Sequence, residues 1–288
     1  MTISAVRAAA EIVGMEVEDL GASLVKHSAL IGTGRLLSYL LVPTALSACS
    51  GGRAVSTDRA SSSDNLWSIV FHSYITCLAI AGAWELGFSP SDRWGGQSEI
   101  GTLAGVLICA DNLCQLPVQF AKKVPLSKSW TVLAHHVAQT GTFLLGLHTG
   151  RCHFWGILAT VSEATNPPIS VVFTLKECNL DTTCARSPTS AFYMLASTVC
   201  WLSFVAFRMV LYPSWLMAFA FDLVLYPAIS FDRTSGLELL LYPIVMSLMF
   251  YLSVLWFKPL TEGTRKVWRE WNELSVGDSV ARGNQKRS

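Results

Sequence analysis

Six ionisable side chains stand inside long apolar stretches of this 288-residue sequence: His72, Asp111, His135, His136, Glu163 and Arg208. If those stretches cross a bilayer, each such group near mid-depth costs roughly 2.5–3.5 kcal/mol on the lowest scale. It must then face a protein interior, and it is a functional candidate by default. Polar companions recur at helical spacing: Thr76 four residues after His72, Gln115 four after Asp111, Gln139 four after His135 and Thr140 four after His136. Asn166 stands three after Glu163, just before Pro167-Pro168, whose break in a helix frees carbonyls that the interior must satisfy. A neutral imidazole in this setting can take a proton or attack as a nucleophile, with a second polar group to orient it. His135, His136, Asp111 and Glu163 form the candidate catalytic set, and His72, Gln115, Gln139, Asn166 and Arg208 the candidate cavity lining. Adjacent helical residues point about 100° apart, so one of the paired histidines faces a cavity and the other braces against a neighbouring helix. The alternative is that both are hydrogen-bond glue between helices. Snorkelling or a structural ion pair is the simpler role for Arg208. Asp222 reads as a cap or a water-facing residue, and His148 and His153 as membrane-edge residues without a special role.

The elements that position these residues follow from where charge is missing. Charged residues make up only 14% of the chain and hydrophobic ones 51%, with a mean hydropathy of +0.42. That excludes a disordered chain, a coiled coil and a nucleic-acid binder, each of which needs far more charge. Uncharged runs at 36–52, 65–84, 129–150, 187–207 and 239–257 match the ~20 apolar residues that cross hydrocarbon as a helix. Stretches 100–121 and 152–175 carry one acid each, Asp111 and Glu163. The expected fold is an all-α polytopic membrane bundle of about seven spans, near 30–49, 66–87, 99–120, 130–149, 153–173, 190–212 and 237–257. Fourteen of the 21 basic residues then fall in one set of loops and the C-terminal tail, among them Lys122, Lys123 and Lys128. The opposite loops hold Arg93, Arg151 and Arg233, so the C-terminus is expected in the cytosol and the N-terminus outside it. On the helix rise, His72, His135 and His136 lie about 10 Å inside the cytosolic end and Asp111 about 15 Å, in one layer around a cytosol-facing cavity.

Three regions qualify this plan. Stretch 214–231, interrupted by Asp222 and Pro227, would invert every earlier loop as an eighth span, so a short interfacial or re-entrant helix after Pro213 is expected. Leu211-Tyr212-Pro213, Leu225-Tyr226-Pro227 and Leu241-Tyr242-Pro243 read as interfacial tyrosines with helix-bounding prolines. Trp256-Phe257-Lys258 reads as an aromatic anchor at a cytosolic exit, and Trp268 and Trp271 suggest a tail helix on the membrane surface. The division is a non-cytosolic segment 1–28, a transmembrane domain 29–260 and a cytosolic tail 261–288, with no cleavable signal. The eight cysteines show no zinc spacing, and Cys178 and Cys184 share a loop placed in the reducing cytosol.

The order of these polar residues resembles the TLC domain family of multi-span membrane proteins, over about Asn65 to Lys266. Asn65-Leu66-Trp67-Ser68-Ile69-Val70-Phe71-His72 is similar to the family's first helix motif, and Asp111-Asn112-Leu113 to the Asp of the next helix. Leu133-Ala134-His135-His136-Val137 resembles its His-His hallmark, and Glu163-Ala164-Thr165-Asn166-Pro167-Pro168 the Glu-x-Ser/Thr-x-Pro element after it. Phe207-Arg208 and Trp256-Phe257-Lys258 resemble the endings of the last two helices. Two departures stand out: Ser253 replaces an Asn common before the terminal Trp-Phe, and the paired aspartates of ceramide synthases are missing.

The resemblance implies spans around a cytosol-facing cavity, a membrane lipid as the substance handled, and residence in the endoplasmic reticulum or another endomembrane. Lipid metabolism or homeostasis is the expected field, with three readings open. One is a ceramide-synthase-like acyltransferase acting on a lipid amine or hydroxyl, with His136 or His135 at work, Asp111 or His72 orienting it, and acyl-coenzyme A as donor. Another is a non-enzymatic factor for lipid binding, lipid composition or trafficking. The third is a metal-dependent membrane hydrolase using His72, Asp111 and the histidine pair; against it, no HxxxH places two ligands on one helix face. No cofactor and no nucleic acid are expected, and the oligomeric state is left open.

Overall fold

The computed structural model describes residues 22–37, 59–121, 126–177 and 188–285. Expectations for Cys49, Cys178, Cys184, Arg53, Arg186, Lys122 and Lys123 lie outside these residues. Every element in the described chain is helical. In order these are α1 (22–37), α2 (Arg59–Leu86), α3 (Pro90–Gly95), α4 (Glu99–Ala121), α5 (Leu126–Thr149) and α6 (His153–Thr160). A 3₁₀ turn, Val161–Thr165, leads to α7 (Asn166–Glu177); then come α8 (Pro188–Phe204), a π-helical turn Val205–Val210, α9 (Leu211–Leu225), α10 (Pro227–Asp232) and α11 (Gly236–Gln285).

Among the described residues, three helical stretches are long and apolar enough to cross a membrane: Ser63–Leu86, Ser190–Leu225 and Gly236–Glu273. Their outward faces carry bare apolar side chains, such as Val70, Trp84, Val224 and Leu240, a surface suited to lipid rather than water. Helices also cover 99–120, 130–149 and 153–173, the last with the 3₁₀ turn in its middle. α2 lies centrally, against α7, α4 and α6; α4 packs on α5, and α8 on α7 and α11. α2 and α4 meet almost backbone to backbone at Gly82, where a Cβ would stand 2.9 Å from the Gly101 nitrogen. Small residues at such crossings let helices approach where lipid offers no hydrophobic drive to pack them.

Stretch 214–231 differs from expectation. Pro213 ends nothing: α8, the π turn and α9 form one continuous helical column, with no separate short helix after Pro213. The reason is local. A proline ring collides with the carbonyl four residues earlier, here Met209, and the wider π turn at Val205–Val210 contains that residue. The column stops at Tyr226, whose φ of −130° and ψ of 51° leave the helix, and Pro227 then opens α10. Of the three Leu-Tyr-Pro triplets only this one bounds a helix. Tyr212 and Tyr242 are buried inside the bundle rather than placed at an interface.

Asp222 is likewise not water-facing. It is buried on α9 and held by Arg93 through both carboxylate oxygens (2.7 and 2.5 Å) and by Trp94 Nε1 at 2.9 Å. Around this clamp sits an aromatic core of Trp94, Trp155, Trp215 and Phe219, with Trp215 and Phe219 stacked at 4.9 Å. The tail also departs from a surface helix. α11 runs unbroken to Gln285 and packs on α8, with Trp201 Nε1 donating to Thr261 and Trp268 Nε1 to Thr198, each at 3.1 Å.

Candidate functional site

Glu163 is the hub of the buried polar groups. It projects from the 3₁₀ turn between α6 and α7, and it is 2% exposed. The turn arises where the chain approaches Pro167-Pro168, which cannot continue an α-helical ladder from upstream. One carboxylate oxygen accepts from Gln139 Nε2 at 2.8 Å, the other from Asn166 Nδ2. Two imidazoles stand just beyond hydrogen-bond range: His72 Nε2 at 3.6 Å and His135 Nε2 at 4.0 Å.

A single-direction chain of hydrogen bonds reaches Glu163 from α5 and α4. His136 Nδ1 donates to Asn112 Oδ1 (2.6 Å), Asn112 Nδ2 to Gln139 Oε1 (2.9 Å), and Gln139 Nε2 to Glu163. Since Glu163 accepts only, each amide in the relay can point only one way, and His136 must carry its proton on Nδ1. The paired histidines therefore divide their work, as their 100° separation requires. His136 braces α5 on α4 through Asn112. His135 turns towards α11, with Nδ1 3.1 Å from the Met249 sulfur and its ring beside Trp256. The other ring nitrogen of His135, Nε2, stands on the Glu163 side. His72 Nδ1 lies 3.1 Å from both the carbonyl and the hydroxyl of Ser68.

Asp111 belongs to a second cluster. Arg35 from α1 grips its Oδ1 at 3.1 and 2.8 Å, Trp67 Nε1 donates at 3.1 Å, and Gln115 Nε2 donates to Oδ2 at 2.5 Å. Arg35 also reaches Asp64 at 3.2 Å. Asp111 thus orients neither histidine; its neighbour Asn112 does so for His136. Arg208 does not snorkel. It is 3% exposed, donates to Thr165 at 2.9 Å, and lies over the rings of Phe204 and Trp256. Trp256 is half-buried, with its ring beside His135 and its Nε1 3.4 Å from the Thr131 hydroxyl. Of the expected i,i+4 pairs, Asp111–Gln115 forms, while the hydroxyls of Thr76 and Thr140 have no partner.

An apolar cavity of about 80 Å³ begins at His135. Its wall on α5 continues through Gln139 and Phe143 to Gly146, a rise of about 16 Å, and it ends among Arg151, Cys152 and His153. From the polar layer only His135 and Gln139 line it. A hollow opening on the side of Lys122 to Lys128 is the expectation; the cavity extends away from that end of α5, and Arg151 is its most exposed charged side chain. Burial, with the Glu238 carboxylate adding to it, holds the Cys152 thiol well above its ordinary range, so it is protonated and no nucleophile. Among the described residues no group of three or more His, Cys, Asp or Glu is placed to hold a metal ion.

A family model for the TLC domain matches residues 61–262, more than two thirds of the chain. The chain belongs to the TLC domain family. Comparisons with curated proteins and with solved structures returned no match. Every residue of the Glu163 hub lies within the matched TLC domain, whereas Arg35, which neutralises Asp111, lies before it. Asn112 and Trp67 stand in the motifs without a role of their own, and neither Arg35 nor Met249 is among the candidate site residues. Asn112 was detectable, as a second polar residue beside Asp111; the others become visible only once helices are packed.

Proposed function

We propose that this TLC-domain membrane protein binds the chain of a membrane lipid in the cavity and transfers an acyl group at its His135 end. The observation that carries the reading is an apolar cavity that ends on an imidazole with a buried carboxylate behind it. His135 Nε2 takes the proton of a lipid amine or hydroxyl as that group attacks the carbonyl of a thioester, for which acyl-coenzyme A is the fitting donor. The carbon–sulfur bond breaks, and the leaving thiolate receives the proton back from His135. The positive charge that develops on His135 faces Glu163 at 4.0 Å, worth about 4 kcal/mol at an effective dielectric of 20. The surrounding arrangement is about seven spans with a cytosolic C-terminus in an endomembrane such as the endoplasmic reticulum, which the clustering of basic residues supports.

The test is purified protein in lipid vesicles, supplied with long-chain acyl-coenzyme A and a lipid amine. Product is expected with the wild type and not with His135→Ala at equal folded amount; equal product from both removes the mechanism. One observation favours a second reading, lipid binding without chemistry: most of the polar layer is spent on mutual hydrogen bonds outside the cavity lining. Bound lipid recovered unmodified after incubation with acyl-coenzyme A would select it.

A further inference from the structure

The far end of the cavity holds three polar groups that its walls leave unused. His153 Nε2, Trp155 Nε1 and the Tyr242 hydroxyl are all buried without a hydrogen-bond partner, in residues at most 8% exposed, and all three residues line the cavity. A buried donor left unpaired is costly, and these three belong to residues that line one cavity. The Tyr242 hydroxyl also lies against bare backbone on the cavity face of α5, since a Cβ on Gly146 would come within 3.1 Å of it. The indole N–H can only donate and the phenol donates readily, so the matching ligand atom is an acceptor oxygen. Arg151 adds a guanidinium at the rim. It stands 3.8 Å from Glu238, which is itself held by Thr149 Oγ1 at 2.5 Å and by the Ser235 backbone N–H at 2.8 Å. With Arg151 and Glu238 opposing one another, the local charge is near balance, so the oxygen need not be ionised.

We infer that the Trp155–Tyr242–His153 end of the cavity is a second binding subsite, which takes the acceptor oxygen of a single-chain lipid, a carboxylate or an ester carbonyl. The inference rests on the reading that the cavity admits a lipid chain. The subsite lies about 16 Å along α5 from His135, so the polar group it holds is not the one that reacts there. The chain runs between the two ends, and the ligand is polar at the end remote from His135.

Binding to the purified full-length protein tests this, with palmitate, methyl palmitate and hexadecane as probes of equal chain length. Both oxygenated probes are expected to bind more tightly than hexadecane. Tyr242→Phe, which removes one donor and keeps the ring, and Trp155→Phe, which removes one donor and shrinks the ring, are each expected to weaken the oxygenated probes about fivefold relative to hexadecane, the usual worth of one hydrogen bond. Arg151→Ala separates the sources: a loss confined to palmitate assigns the carboxylate, and an equal small effect on both probes assigns the carbonyl. Equal binding of all three probes, untouched by either conservative variant, overturns the subsite and leaves the donors to ordered water. Failure of every probe to bind, hexadecane included, overturns the lipid cavity itself.

Discussion

Asp222 and Glu163 are both buried carboxylates in one helical bundle, but their partners differ in kind. Asp222 is gripped by a guanidinium that is charged at any accessible pH, with an indole donor beside it. Its charge is cancelled permanently, and the clamp ties α9 to α3 under the aromatic core. Glu163 is hydrogen-bonded by two neutral amides, with imidazoles at 3.6 and 4.0 Å and the Arg208 guanidinium acting on its charge without a hydrogen bond to it. Its balance therefore depends in part on where the imidazole protons are. Asp111 sides with Asp222, since Arg35 has already neutralised it. A carboxylate clamped by arginine ties helices together, whereas one held by amides beside imidazoles responds to where their protons sit.

The contrast can be broken most sharply at Glu163. Glu163→Gln keeps the volume and an acceptor for Gln139 while removing the charge, and its amide N–H is met by Asn166 once that side-chain amide flips to present its oxygen. Acyl transfer is expected to fall about 10²–10⁴-fold, the usual worth of a positioned acid–base group, with lipid binding and the thermal midpoint in detergent nearly unchanged. Asp222→Ala should do the opposite. Leaving Arg93 and Trp94 without their acceptor is expected to lower stability by about 3 kcal/mol, seen as an earlier unfolding transition, with transfer per folded molecule intact. If the two variants behave alike, the distinction between the regions is lost.

Asn112→Leu sharpens the comparison from within the relay. His136 and Gln139 each lose a partner, so a destabilisation of about 1–3 kcal/mol should come together with reduced transfer, because the amide that steadies Glu163 is released. A stability loss with no change in transfer would assign the relay to packing alone. The smallest effect is expected at Trp268→Phe, which removes one exposed hydrogen bond to Thr198. It should cost less than about 1 kcal/mol and leave transfer unchanged, as measured by denaturant-midpoint and product assays.

Much of the polar layer was legible in one dimension, because an ionisable residue in an apolar run has few places to go. His72, His135, His136 and Glu163 do converge, and the Glu163–Asn166 spacing does produce a hydrogen bond across the 3₁₀ turn. Asp111 was assigned to the histidines because its depth matches theirs, yet depth carries no azimuth, and a helix brings its next residue round by 100°. That rotation gives Asn112 to His136 and Asp111 to Arg35. The same limit applies to Arg208 and Trp256, whose positions near helix ends suggested an interface and whose side chains turn inward. Pro213 misled for another reason. Its effect depends on whether the preceding turn can widen, which is a property of the packed helix and not of the dipeptide.

Sequence by itself determined the class of solvent, the helical nature of the chain and the family. Those follow from summed properties, apolar length and charge spacing, that survive any rearrangement of the helices. Only tertiary structure decided which buried acids are neutralised by arginine, which histidine meets the cavity and where that cavity leads. Such outcomes turn on ångström distances between residues dozens of positions apart, and helix packing sets them.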